Sequence, residues 1–167
     1  YPLFFDTKTS VNLFGLKDNF RFITELYLRQ NLPKVLMLTG NNGSGKSTLI
    51  NHFLYSIFDN ENYNKETFTL LENSVFLKQF QKNIFPNIIY INGENYKSVK
   101  IEDIRNLKKQ ILQSNISKGD RFIILDDIDL FNLNSLNALL KIIEEPSKKN
   151  FFILINNKRF PLIETIK

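Results

Sequence analysis

The sequence predicts an α/β fold, a parallel sheet with helices on both faces. Four apolar runs, each about the length of a buried strand, are bounded by polar or turn residues: KVLMLTG at 34–40, NIIYIN at 87–92, RFIILDD at 121–127 and FFILINN at 151–157. Stretches with helical spacing separate these runs. Strands that alternate with helices are typical of a parallel sheet covered on both sides.

Five segments have the spacing or composition of helices. They are residues 16–30, which precede the helix-breaking NLP; residues 46–58; residues 69–85; residues 101–112; and residues 134–146, which end at Pro146. The residues predicted to face inward are Leu16, Phe20, Ile23 and Tyr27 in the first; Leu49, Ile50, Phe53, Leu54 and Ile57 in the second; Ile101, Ile104, Leu107 and Ile111 in the fourth; and Leu136, Leu139, Leu140 and Ile143 in the fifth.

Composition limits the function classes. A chain of 167 residues suits one domain with one buried core, and a net charge of +5 permits contact with nucleic acid. With no cysteine, disulfides and thiolate metal sites are excluded. No apolar run is long enough to cross a bilayer and no signal-peptide pattern opens the chain, so we expect a cytoplasmic protein without membrane contact. The lone His52 lies in a predicted helix, and we expect it to be a packing or surface residue and not a ligand.

The segment GNNGSGKS, residues 40–47, matches the phosphate-binding pattern G-x-x-x-x-G-K-[ST]. Its glycines allow backbone N–H groups to point into one hollow, and the helix that follows aims its positive end at the same place. Lys46 can reach the β- and γ-phosphates of ATP, and the Ser47 hydroxyl can bind Mg²⁺. The candidate nucleotide-binding residues are Gly40, Asn41, Asn42, Gly43, Ser44, Gly45, Lys46, Ser47 and Thr48. The competing interpretation is a chance match in a glycine-rich turn.

Polar residues follow two of the other predicted strands. Asp126 and Asp127 end FIILDD, and Asn156 and Asn157 end FILINN. Ligands bind at the carboxyl ends of parallel strands, so Asp126 is a candidate Mg²⁺ ligand and Asp127 a candidate general base. Asn156 or Asn157 could bind the attacking water or the γ-phosphate. Alternatively, these four residues only end strands and form turns. We expect Asp129, two positions after Asp127, to be solvated.

The order of these motifs resembles an AAA+ ATPase, and the wording resembles bacterial DNA polymerase III clamp-loader subunits. The resemblance rests on residues 13–49, on VKIEDIRNLKKQI at 99–111, on residues 122–157, especially SLNALLKIIEEP at 135–146, and on PLIETIK at 161–167. It covers nearly the whole chain and is weakest over residues 60–87. Within the family the chain is most similar to the delta-prime type, and the gamma/tau type remains open.

The resemblance implies an AAA+ P-loop NTPase base domain over residues 1–167, with a helical lid and a collar domain after Lys167. It implies ATP and Mg²⁺ as ligands. The implied partners are other clamp-loader subunits in a hetero-oligomer, the sliding clamp, and primed DNA contacted through its backbone. Three departures from the family follow from the sequence: no cysteine-bound zinc, Asp127 where glutamate is usual, and no arginine finger before Lys167. Arg159 does not match the finger position.

Two other functions fit the phosphate loop. A small P-loop metabolite kinase explains residues 40–47 equally well, but it explains SLNALLKIIEEP poorly and requires an arginine-rich lid. A structural module that binds nucleotide without hydrolysing it differs from an active clamp-loader subunit only in rate. The shorter side chain of Asp127 bears on this choice, because a displacement of about 1 Å can slow catalysis ~100-fold.

Overall fold

The centre of the fold is a four-stranded parallel sheet. A computed structural model describes residues 7–93, 101–113, 119–144 and 149–160. The strands are β1 (Val35–Thr39), β4 (Ile88–Asn92), β5 (Arg121–Asp126) and β6 (Asn150–Asn156), in the order β1-β6-β5-β4. All three strand pairs are parallel. The predicted α/β class and all four predicted strands are confirmed.

Two helices cover one face of this sheet. They are α4 (Ile101–Gln113) and α5 (Leu133–Ile143), and their apolar side chains form one cluster with alternate residues of the strands. The cluster contains Ile104, Leu107, Ile123, Leu125, Ile128, Phe131, Leu136, Leu139, Ile142, Phe152 and Leu154. Every residue of β5 and β6 is buried, as expected for strands with apolar side chains on both faces.

The chain divides into two units at Leu32/Pro33, Ser44/Gly45 and Phe85/Pro86. The sheet, α4 and α5 form one unit. The other contains α1 (Lys17–Leu28), α2 (Lys46–Phe58), α3 (Val75–Gln81) and a two-stranded antiparallel ribbon of β2 (Tyr63–Asn64) and β3 (Thr69–Leu70). In this second unit, Phe20 and Ile23 of α1 are buried, as are Leu49 to Ser56 of α2.

His52 packs inside the unit of α1 to α3, as expected. Its Nε2 lies 3.0 Å from the carbonyl oxygen of Ser10, and its Nδ1 lies 3.0 Å from the hydroxyl of Tyr63. Because a carbonyl can only accept, Nε2 carries the proton and Nδ1 accepts from Tyr63. Burial lowers the pKa of His52 to about 4, against the opposing effect of the Ser10 hydrogen bond. Burial also raises the pKa of the Tyr63 hydroxyl.

Two predictions about helices were wrong in part. Residues 69–85 were predicted as one helix, but Thr69–Leu70 is a strand and the helix begins at Val75. It begins there because the Ser74 hydroxyl accepts a hydrogen bond from Leu77 N (3.1 Å), a helix cap. In α5, Ile142 is buried although it was not predicted to face inward, whereas Leu140 and Ile143 are only half-buried.

Candidate functional site

The candidate site residues of the sheet unit lie at one edge of the sheet. In parallel strands all carboxyl ends meet at the same edge, and the register pairs Thr39 with Asn156 and Asn92 with Asp126. The loop after β1, the two aspartates after β5 and the two asparagines after β6 therefore leave the sheet at that edge. The rule that ligands bind there in open α/β sheets makes this edge the candidate site.

The first half of the phosphate loop is tied to the neighbouring strand. Gly40 N donates to the carbonyl oxygen of Asn156 at 3.2 Å, and Ser44 N donates to Asn41 O at 3.3 Å to form a turn. Asn41, Asn42 and Ser44 are exposed. The loop thus starts at the junction of β1 and β6, close to the end of β6 in its own unit.

The second half of the loop begins α2 in the other unit. Gly45 has a φ of 84°, in the left-handed region that favours glycine, and a Cβ built there would lie 2.8 Å from Leu16 Cδ1. Lys46, Ser47 and Thr48 follow as the first helical turn, and Leu49 N donates to Gly45 O at 2.8 Å. Backbone N–H groups of a first turn have no partner within the helix, which makes such turns anion-binding elements.

Asp126 is buried, and its carboxylate is held by hydrogen bonds to both oxygens. The Tyr90 hydroxyl donates to Oδ2 at 2.6 Å from the neighbouring strand β4, and Asp127 N donates to Oδ1 at 2.9 Å. Mg²⁺ is usually bound by one or two carboxylates together with substrate phosphates, so the carboxylate of Asp126 is a suitable type of metal ligand. Tyr90 was not identified from the sequence as a site residue, although the Asn92–Asp126 pairing brings it to this strand end.

Asp127 is paired with two donors from the segment after β6. Its Oδ1 accepts from Asn157 Nδ2 at 2.5 Å and lies 3.5 Å from an Nη of Arg159. The backbone of Asp127 is left-handed, with a φ of 54°, and it starts a 3-10 turn over Ile128–Leu130. The structure therefore brings together Asp127 and Asn157, two of the three candidate catalytic residues.

Asn156 has a different environment from Asn157. Its side-chain Oδ1 accepts from Lys158 N at 2.9 Å, and its carbonyl oxygen accepts from Gly40. Both contacts shape the backbone at the strand end. Of the two asparagines, Asn157 is the one whose described side-chain contact reaches an aspartate.

The expectation that Asp129 is solvated was wrong. Asp129 is 9 % exposed, and its carboxylate accepts from the backbone N–H of Asn157 at 3.1 Å and of Arg159 at 2.9 Å. The 3-10 turn directs this side chain back to the end of β6. Neither Asp129 nor Arg159 was identified as a site residue, because both contacts join segments about thirty residues apart in the chain.

Within the described ranges, no cluster of three or more histidine, cysteine, aspartate or glutamate residues could hold a metal ion. Across that same part of the chain, no helix has the length and apolar character needed to span a bilayer.

Comparison with known proteins decides the family. A family model described as "DNA polymerase III, delta subunit" matches residues 16–167. The chain belongs to this DNA polymerase III subunit family. The family expected from the sequence, that of the clamp-loader subunits, is thereby confirmed.

Curated relatives of this DNA polymerase III subunit family carry two subunit names. The chain is 32 % identical over 74 residues to the DNA polymerase III subunit delta' of Pseudomonas aeruginosa, covering 44 % of this chain and 23 % of that protein. It is 27 % identical over 118 residues to the subunit gamma of Buchnera aphidicola, covering 71 % and 31 %. The chain thus spans less than a third of the length of either relative.

A solved structure of a gamma subunit-related protein of DNA polymerase III from Thermotoga maritima has the same fold. It superimposes with a TM-score of 0.50 at 17 % identity, covering 90 % of this chain and 42 % of that protein. At this level of identity the likeness supports the fold alone.

Proposed function

We propose that the chain is the ATP-binding AAA+ domain of a clamp-loader subunit of the delta-prime type, which helps to place a sliding clamp on primed DNA. The observation that carries ATP binding is the conformation of residues 40–48. They run from a strand of the parallel sheet through a turn into the first turn of a helix, with Gly45 left-handed at the helix start. This is the backbone context that the phosphate-loop motif requires.

Each site residue has a role in the proposed mechanism. The backbone N–H groups of residues 40–48 bind the phosphates of ATP, and the Lys46 ammonium balances their charge. The hydroxyl of Ser47 and the carboxylate of Asp126 would be ligands of Mg²⁺, which would supply charge neutralisation at the phosphates. Asn157 binds the attacking water or the γ-phosphate, and Asp127 is the candidate proton acceptor.

We propose that the chain binds ATP and hydrolyses it slowly or not at all. Asp127 is shorter than the glutamate usual in the family, and its Oδ1 is already an acceptor for Asn157 and a partner of Arg159. A carboxylate committed to protein donors is poorly available to a water molecule. The delta-prime assignment is supported by the matching family and by the first relative named above, and a gamma/tau-type ATPase is the alternative supported by the second.

The proposed partners are other clamp-loader subunits, the sliding clamp and the DNA backbone. The net charge of +5 suits sequence-independent attraction to phosphates, which weakens as salt concentration rises.

ATP binding is tested by calorimetry on the protein with and without Mg²⁺. We expect Lys46→Ala to weaken binding at least about 10-fold, since it removes a charge-assisted contact to phosphate. Lys65→Ala, at an exposed lysine outside the loop, is the control and should bind like the wild type. No heat from ATP with Mg²⁺ in the wild type would refute the proposal.

The subunit role is tested in the assembled loader with primed DNA. We expect Lys46→Ala in this subunit to leave most ATP hydrolysis by the assembly intact, because its own turnover is slow. Complete loss of hydrolysis would favour a gamma/tau-type ATPase. Transfer of phosphate to a small molecule would favour a metabolite kinase.

A further inference from the structure

Arg159 is placed on the candidate base by a rigid turn. Asp129 accepts the backbone N–H groups of Asn157 and Arg159, and Asn156 accepts that of Lys158. Three consecutive N–H groups after β6 are therefore fixed by side-chain acceptors. The direction in which the Arg159 side chain leaves the backbone is set by these bonds.

The acceptor side of the pair is equally fixed. Asp127 and Asp129 belong to one 3-10 turn, closed by Leu130 N donating to Asp127 O at 2.9 Å and Phe131 N donating to Ile128 O at 3.1 Å. The turn after β5 therefore contacts the segment after β6 in two ways. Asp129 accepts from its backbone N–H groups, and Asp127 contacts the side chains of Asn157 and Arg159. The ion pair between Arg159 and Asp127 is part of this connection.

The contacts on Asp127 limit what it can do. A carboxylate oxygen has about two acceptor positions, and Oδ1 already has Asn157 and Arg159 as neighbours. The carboxylate is buried, with 4 % of its side chain exposed, whereas 24 % of the Arg159 side chain is exposed. Arg159 is therefore the half of the pair that an incoming group can reach.

We propose that Arg159 is an inhibitory positioning residue, which acts through Asp127 and keeps the ATP site in a state of low turnover. The inference rests on the proposed function. During hydrolysis, the oxygen of water bonds to the γ-phosphorus and the bond from that phosphorus to the bridging oxygen breaks. ADP leaves with the bonding electron pair, and the water proton passes to the Asp127 carboxylate. In this proposal the accepting oxygen is Oδ1, so Arg159 has to move away from it for the transfer.

The test compares turnover and affinity in the protein assembled with its partner subunits and primed DNA, with the neighbouring subunits made inactive. General-base catalysis contributes about 100- to 10,000-fold, so Arg159→Gln should raise phosphate release at saturating ATP by at least about 10-fold. The Kd for ATP should stay within about 3-fold, because Arg159 has no assigned contact to the nucleotide. Arg159→Lys retains a positive charge and should give a smaller rise.

Two variants serve as controls. Arg29→Gln makes the same change in an exposed ion pair with Glu25 on α1 and should not alter turnover. Combining Asp127→Asn with Arg159→Gln should abolish the gain, since the effect runs through that carboxylate. If Arg159→Gln does not fold, side-chain NMR of the wild type gives the same decision: the Arg159 guanidinium protons should remain slow to exchange when ATP and Mg²⁺ are added, because the ion pair with Asp127 persists in the low-turnover state.

The outcomes separate the two proposals. Turnover that is unchanged or lower in Arg159→Gln, with ATP affinity intact, overturns the role of Arg159 and leaves ATP binding standing. Guanidinium exchange that becomes fast when ATP and Mg²⁺ are added does the same. A wild-type protein that does not bind ATP refutes the proposed function itself.

Discussion

Removing the Tyr90 hydroxyl tests the proposed metal ligand directly. The hydroxyl donates to Asp126 Oδ2 at 2.6 Å, a length typical of a hydrogen bond to a charged acceptor. Tyr90→Phe keeps the ring and removes only this donor. A hydrogen bond to a charged group contributes about 1.5–3 kcal/mol, and partners that orient a metal ligand typically change metal affinity about 10- to 100-fold.

We expect effects at the lower ends of both ranges, for stability and for metal affinity. Tyr90 is half-buried, so water can replace part of the lost hydrogen bond, whereas Asp126 is only 3 % exposed. The Mg²⁺ concentration that gives half of the Mg²⁺-dependent gain in ATP affinity should rise about 10-fold. A loss of about 1.5 kcal/mol in stability corresponds to a fall in Tm of roughly 3–6 °C for a chain of this size.

The assay is a Mg²⁺ titration of ATP binding followed by fluorescence, with ATP binding in EDTA as an internal reference. Binding without metal should be unchanged, because Tyr90 has no assigned contact to phosphate. Tyr27→Phe, on α1 in the other unit, is the matched control and should leave the Mg²⁺ midpoint unchanged. An identical midpoint for Tyr90→Phe and the wild type would show that this hydroxyl does not orient a metal ligand.

Three further predictions concern stability. Gly93→Ala puts a Cβ 2.6 Å from the carbonyl oxygen of Asp127, so the backbone must shift. We expect the free energy of unfolding, measured by urea denaturation, to fall by about 1–3 kcal/mol. An unchanged urea midpoint would contradict the contact. Ser74→Ala removes the cap on Leu77 N and should cost about 1 kcal/mol by the same measurement. Ser74→Thr should largely restore it, because its hydroxyl can both accept from Leu77 N and donate to the Asp59 carboxylate, as the Ser74 hydroxyl does. His52 is neutral in the fold, with a pKa of about 4 against the ordinary 6.5, so the free energy of unfolding should fall by up to about 3 kcal/mol as pH falls from about 6.5 to 4. His52→Gln should flatten this pH dependence of stability, and equal slopes for the variant and the wild type would refute the prediction.

The strands and longer helices were predictable because their signals are local. A run such as FIILD must be buried along its whole length, and the spacing of Ile104 and Leu107 needs only one apolar face. The ribbon of Tyr63–Asn64 and Thr69–Leu70 has two residues in each strand, too few to show a period of two. It forms through its pairing and through the bridge from Asn12 to Thr69, a contact between distant segments.

The residues of the candidate site also divide into those that a local sequence pattern reveals and those that only the fold brings together. The loop of residues 40–48 is continuous, and its glycine spacing and the helix that follows it can both be read from adjacent positions in the chain. Its motif therefore identifies it. Tyr90, Asp129 and Arg159 act on residues of other segments, at separations of 28 to 36 positions. Asp129 was expected to be solvated, but the 3-10 turn directs its carboxylate to the backbone N–H groups after β6, a contact that no local pattern reveals.

In the proposed mechanism, nucleotide binding and turnover depend on different parts of the chain. The proposed phosphate contacts come from a contiguous loop, so changes within its nine residues would largely decide whether ATP binds. The proposed turnover at Asp127 would depend on Asn157, Arg159 and Asp129, which belong to two turns joined only through space. A change in either turn can alter turnover and leave the loop intact. Two related chains with identical phosphate loops can therefore differ in hydrolysis, and the residue to compare first is the one that faces the carboxylate after β5.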